Sequence, residues 1–252
     1  ARIGHLPTRP YLENHFAELL KVDATKSPIE RNGRYFYLAR KAGQDQYILY
    51  MRATAAAAPK VLVDPHPLSP DHSTSVTFEA ATEDGSLLAY GFRKGGADEQ
   101  EVHFRDIASD KDLKDVLPPA RYFNIALLPD RTGFYYDIMT DAGPRVRYHK
   151  FGGDPASDVE IFGHDLGQQI ITVTFLNDDG RYLFSEVLYG SSADKVEIYY
   201  ADLKASGGTP EKPELKPLIK NGPGQDMDCR FFLVPAGDHA FVHTNWRAPN
   251  GR

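Results

Sequence analysis

The sequence predicts an all-β fold, a partial β-propeller of about four and a half four-stranded blades preceded by one short helix. Three observations point to it. The same local plan, a turn followed at once by an aromatic-rich strand, occurs five times: Asn32-Gly33 before Tyr35, Asp84-Gly85 before Leu87, Asp130 to Gly133 before Phe134, Asp179-Gly180 before Tyr182, and Gly237-Asp238 before Phe241. These turns recur at intervals of about 45 to 60 residues, the size of one propeller blade. The strands behind them are nearly continuous apolar runs, as expected of strands covered on both faces by neighbouring sheets. Gly and Asp at the turns have a physical reason: tight turns need positive φ, which Gly adopts freely and Asp or Asn tolerate.

The opening segment differs. Thr8-Arg9-Pro10 reads as a helix start, and Leu12, Phe16, Leu19 and Leu20 follow at helical spacing. We assign a helix to residues 9–22 and an N-terminal helical segment to residues 1–28, outside the β repeat. Residues 29–252 form the incomplete propeller domain, blades 1 to 4 and the start of 5. Arg34 to Arg40, Gln46 to Arg52 and Lys60 to Asp64 supply the first blade. Val76 to Phe78, Leu87 to Phe92 and Glu101 to Ile107 supply the second. Tyr122 through Tyr135, Val146 to Tyr148 and Val159 to Phe162 supply the third. Ile170, Tyr182, Val196 to Leu203 and Leu218-Ile219 supply the fourth, and the fifth starts at Phe231. Ala53 to Ala58 is too short for a helix between strands, and Ser206 to Pro213 is an exposed connection. Four and a half blades cannot close a ring, so we expect the sequence to be part of a longer polypeptide whose open flanks self-associate.

Composition narrows the function. The chain of 252 residues carries a net charge of −6, and no basic stripe with interleaved aromatics, so nucleic acid is not an expected partner. No apolar run reaches the roughly 18 residues that cross a bilayer, so no membrane partner is expected. The single cysteine, Cys229, excludes an internal disulfide and a Cys-based zinc site, and reads as a small buried residue.

The usual constellations of catalysis are missing. Gly190-Ser191-Ser192-Ala193-Asp194 lacks the second Gly of a nucleophile elbow and reads as a hairpin turn. Gly95-Gly96 and Gly152-Gly153 have no helix behind them to cradle a phosphate. His239 and His243 are four apart on a strand, about 13 Å from each other, too far to share a metal. His164-Asp165 has no nucleophile near it in sequence. Glu83-Asp84 and Asp178-Asp179 fall at turns, whose chemistry explains them. Asp226 with Asp228 leaves a paired-carboxylate site formally open. No metal or other cofactor is expected.

A resemblance adds to this reading. Arg34-Tyr35-Phe36-Tyr37, Val63-Asp64-Pro65, Glu83-Asp84-Gly85 with Leu88-Ala89-Tyr90-Gly91, Asp115-Val116-Leu117, Tyr135-Tyr136, Arg147-Tyr148-His149, Asp178 to Tyr182, and Thr244-Asn245 with Pro249-Asn250 stand in order. Together with Thr8 to Glu13 they resemble the prolyl oligopeptidase family over nearly the whole chain. The resemblance implies a serine peptidase that cuts short peptides after proline, in the cytoplasm or the periplasm. It implies a seven-bladed propeller that limits access to the chain's own C-terminal α/β-hydrolase domain. The catalytic Ser, Asp and His of that family follow the last blade, so no catalytic residue is expected in this sequence, and residues 1–252 alone are expected to be inactive. One substrate-binding position carries over: Tyr122, with the adjacent Phe123 as the alternative match. The next two fall near Ile171 and Ala201, where the family pattern has Met and Cys. The rival expectation is a non-enzymatic propeller that binds a protein partner through its loops; related hydrolases with the same cap, oligopeptidase B and acylaminoacyl peptidase, are a third.

Overall fold

A computed structural model of the chain describes residues 6–205, 209–220, 229–237 and 239–247. Strands dominate, arranged as successive antiparallel meanders. Helix α1 spans Arg9–Leu20, starting at the expected residue with Pro10 in its first turn and stopping two residues short of the expected end at residue 22. Its apolar stripe of Leu12, Phe16, Leu19 and Leu20 is exposed, and no residue of the helix is buried.

The first sheet contains β1 (Ala24–Thr25), β2 (Ile29–Arg31), β3 (Arg34–Arg40), β4 (Ile48–Arg52) and β5 (Lys60–Val63). Both β1 and β2 pair with the same edge of β3, Ala24 opposite Arg40 and Ile29 opposite Phe36. They are one strand interrupted at Lys26-Ser27-Pro28, where Pro28 has no N–H to give the ladder. The sheet therefore begins at residue 24, inside the segment assigned to the helical part. Ala53 to Ala58 forms turns and no helix.

The second sheet has the order β6 (Thr74–Ala81), β7 (Leu87–Lys94), β8 (Gln100–Asp106) and β9 (Lys111–Ala120). Sequence reading missed β9. Its Pro118-Pro119 pair argues against a strand, but β9 is an outer strand, where missing donors are tolerated. Its register with β8 slips there, from Leu117 opposite Val102 to Ala120 opposite Gln100.

The third sheet runs β10 (Tyr122–Leu127), β11 (Gly133–Thr140), β12 (Gly143–Lys150), β13 (Val159–Phe162). The fourth runs β14 (Ile170–Leu176), β15 (Tyr182–Tyr189), β16 (Lys195–Asp202), β17 (Lys216–Ile219). The hairpin β18 (Phe231–Ala236) and β19 (His239–Thr244) begins a fifth. The chain divides into two compact units, residues 1–78 with 92–96, and residues 79–91 with 97–252.

The recurring Asp has one job. Asp84, Asp130 and Asp179 each accept a hydrogen bond from the backbone N–H two residues on, that of Ser86, Thr132 and Arg181, at 2.9, 3.0 and 2.9 Å. The recurring Gly has two. Gly180 has φ +65°, whereas in the third turn the positive φ falls on Arg131. Gly133 is needed there because a Cβ would lie 2.3 Å from the carbonyl oxygen of His149.

The cores of the second unit lie between consecutive sheets. Leu87, Ala89, Val102, Phe104 and Leu117 pack against Ile125, Leu127, Phe134 and Tyr136. From the other face of the third sheet, Ala126, Leu128, Tyr135 and Tyr148 meet Leu183 and Ala201. Phe184 and Ile198 then meet Cys229, Phe231 and Leu233. Adjacent residues of β11 thus serve opposite cores, which is why its run Phe134-Tyr135-Tyr136 shows no polar alternation. Aromatic side chains of this size dominate the burial.

Candidate functional site

The position carried over as substrate-facing lies in a core. Tyr122 is 7% exposed, its ring packs edge-on to Tyr136 at 5.8 Å, and its hydroxyl donates to the carbonyl of Pro118 at 2.6 Å. Burial raises its pKa far above the ordinary phenol value. A bulge between Tyr122 and Asn124 sets this inward orientation. The side chain of Phe123 lies outside the described residues. Ile171, on β14, is half-buried, and Ala201 is buried in the core that Tyr135 and Leu183 share. Tyr122 and Ala201 therefore belong to different cores and are not brought together as one site.

The other nominated groups are occupied locally. In the 190–194 turn, Ser192 Oγ donates to Asp194 at 2.7 Å, and Asp194 also pairs with Arg230. The turn joins β15 to β16 as a hairpin. His164 Nδ1 lies 3.2 Å from Glu160 rather than on Asp165. His239 and His243 are exposed on β19. Cys229 is buried and free. Asp226 and Asp228 lie outside the described residues. Among the described residues, no group of three or more His, Cys, Asp or Glu is placed to hold a metal, and no helix is long and apolar enough to cross a membrane.

The structure shows buried charge that sequence reasoning did not nominate. His149, on β12, lies between Asp158 and Asp115: Nδ1 is 2.7 Å from the first and Nε2 is 3.1 Å from the second. Tyr136 donates its hydroxyl to the other oxygen of Asp158 at 2.8 Å. Asp115 also accepts the backbone N–H of Gly152. Nothing in the sequence ties Asp115 to His149 across 34 positions. No serine, threonine or cysteine hydroxyl or thiol bonds to this imidazole among the described residues, so the cluster has the base and its orienter without a nucleophile.

A second device joins the third sheet to the fourth. Asp137, fully buried on β11, accepts both the backbone N–H and the hydroxyl of Thr174 on β14, at 2.8 and 2.9 Å. Its burial pushes its pKa up to about 6, against the lowering effect of these hydrogen bonds. Glu186 repeats the plan one sheet later, accepting the backbone N–H of Leu233 at 2.7 Å, with its pKa also raised by burial. In the first unit, a groove of about 440 Å³ lies on the face of β3 and β4 that carries Tyr35, Tyr37, Tyr50 and Arg52. The Tyr37 and Tyr50 rings stack there at 5.6 Å.

Successive antiparallel meanders, which in the second unit pack face to face through shared cores, make this a partial β-propeller. Over residues 1–252 the chain matches the family described as prolyl oligopeptidase, N-terminal beta-propeller domain, and it belongs to that family. It is 28% identical over 262 aligned residues to a prolyl endopeptidase of Elizabethkingia meningoseptica, an alignment taking in 99% of this chain and 35% of the relative. A solved structure from a structural and mechanistic analysis of two prolyl endopeptidases superposes on all of the chain and 37% of its own, with a TM-score of 0.84 and 27% identity. Prolyl oligopeptidase B of Galerina marginata shares the fold at 18% identity, with a TM-score of 0.80 over 98% of this chain and 37% of its own. The chain thus spans little more than a third of the relatives it matches, and the match does not favour the non-enzymatic scaffold.

Proposed function

We propose that this chain is the access-limiting propeller portion of a serine-type prolyl endopeptidase that hydrolyses short peptides after proline. Its partners are short proline-containing peptides and the α/β-hydrolase domain that follows it in the intact polypeptide. The observation that carries the reading is the match over residues 1–252 to a peptidase propeller domain. The serine, its base and its orienter would then be supplied by that other domain, which would also hold the oxyanion.

Within this proposal the domain limits are residues 1–28 and 29–252, with the first sheet reaching back to residue 24. Tyr122 takes part through its ring, its hydroxyl being committed to Pro118. A cytoplasmic location is part of the same reading. Two measurements test it. Purified residues 1–252 leave a proline-containing chromogenic peptide intact; turnover that survives contaminant controls overturns the placing of the machinery elsewhere. Substituted for the matching third of the Elizabethkingia enzyme, the chain preserves cleavage of short peptides and exclusion of folded proteins. A folded chimera that degrades both overturns the access-limiting role.

A further inference from the structure

The reading above leaves the buried imidazole of His149 unused. Its side chain is 1% exposed, and the rings of Phe134 and Phe151 lie 4.9 and 6.2 Å from it. Each ring nitrogen faces a carboxylate of its own, Asp158 at Nδ1 and Asp115 at Nε2. An ionised carboxylate only accepts hydrogen bonds. A neutral imidazole has one N–H and one lone pair, so it would set that lone pair against one of the two. Moving a proton onto an aspartate instead runs against the basicity order, since imidazole holds a proton more tightly than a carboxylate by over two pH units. Only an imidazolium donates to both.

The surroundings fit that charge. From β9 comes Asp115, whose same oxygen also accepts the Gly152 N–H. From the turn before β13 comes Asp158, and from β11 the Tyr136 hydroxyl that binds it. From β12 itself comes Arg147, two positions away, whose charge acts on the hydroxyls of Tyr136 and of Tyr122 on β10.

We propose that His149 is held as an imidazolium at neutral pH and acts as an ionic staple between β9 of the second sheet and β12 of the third, a staple that alkali opens. Burial disfavours the charged ring, but the hydrogen bonds and charges of Asp158 and Asp115 outweigh it and raise the pKa above the ordinary histidine value. Because the folded-state value is the higher one, the stabilisation is complete below about pH 6.5, the unfolded value, and is lost as pH rises through the folded value.

The test is nuclear magnetic resonance of the full chain with ¹⁵N-labelled histidine rings. The His149 signal is assigned by its loss in His149→Gln or, should that variant not fold, by its ring-to-ring contact with Phe134. Both ring nitrogens carry protons at pH 7, and the ring titrates above the ordinary histidine value. Asp115→Asn keeps an acceptor in place but removes a charge, so it lowers that midpoint. A deprotonated ring nitrogen at pH 7 in the unmodified chain, or a midpoint that Asp115→Asn leaves unmoved, overturns the proposal.

Discussion

Two neighbouring seams of the second unit solve one problem in opposite ways. Between the second and third sheets, charge is buried as a set: Asp115, His149 and Asp158, with Tyr136 on the outer oxygen. Between the third and fourth sheets, Asp137 is buried without an opposing charge and faces the neutral groups of Thr172 and Thr174. The paired charges hold a proton that would otherwise leave; the lone carboxylate takes up a proton that would otherwise stay in water. A buried charge is therefore not stabilising or destabilising by nature. What decides the sign is whether the opposing charge was buried with it.

Breaking the paired seam gives the largest effect. Asp158→Ala leaves the imidazolium short of one carboxylate and the Tyr136 hydroxyl without its acceptor. Chemical denaturation at pH 7 is expected to show a loss of about 3–5 kcal/mol. The lone carboxylate is exposed next by pH. The folded-state pKa of Asp137, about 6 against an ordinary 3.8, lies above its unfolded value, so stability from this group is full below about pH 4 and falls as pH rises to 6. The change is on the order of 2–3 kcal/mol. In Asp137→Asn, which cannot ionise, the fall is absent and the stability profile from pH 4 to 6 is correspondingly flatter.

A smaller loss is expected of Asp137→Ala, which orphans the Thr174 N–H. At pH 5 it costs about 1–3 kcal/mol, read from the urea midpoint. Tyr122→Phe is the smallest. It removes one hydroxyl-to-carbonyl bond to Pro118 and keeps the ring, at about 1 kcal/mol. If Tyr122→Phe instead lowers peptide turnover in the intact enzyme without moving the melting temperature, the residue has a role at the substrate beyond its core.

The seams were also where sequence reading ended. The meander was legible because its signals are local: an Asp accepting from the second residue on, as at Asp84, Asp130 and Asp179, fixes a turn without outside help. The failures came where a local rule was overridden by position. Pro118-Pro119 spoke against a strand, but β9 is an outer one. Pro28 broke one strand into β1 and β2 and hid where the first sheet begins. The burial of Tyr122 depends on a bulge that a string of letters does not display. The cross-sheet partners of His149, Asp137 and Glu186 lie 34, 37 and 47 positions away, so ordinary-looking acids and one histidine showed their significance only in three dimensions.

Among the described residues every strand pairing joins near neighbours along the polypeptide, and that bears on how the molecule comes into being. A meander can zip up as soon as its own stretch leaves the ribosome, with little loop-closure entropy to overcome. Docking onto the preceding sheet comes afterwards, when the next one has emerged. Within the second unit, synthesis from the amino terminus thus builds the array in its final order, each newly made sheet finding a finished surface waiting for it.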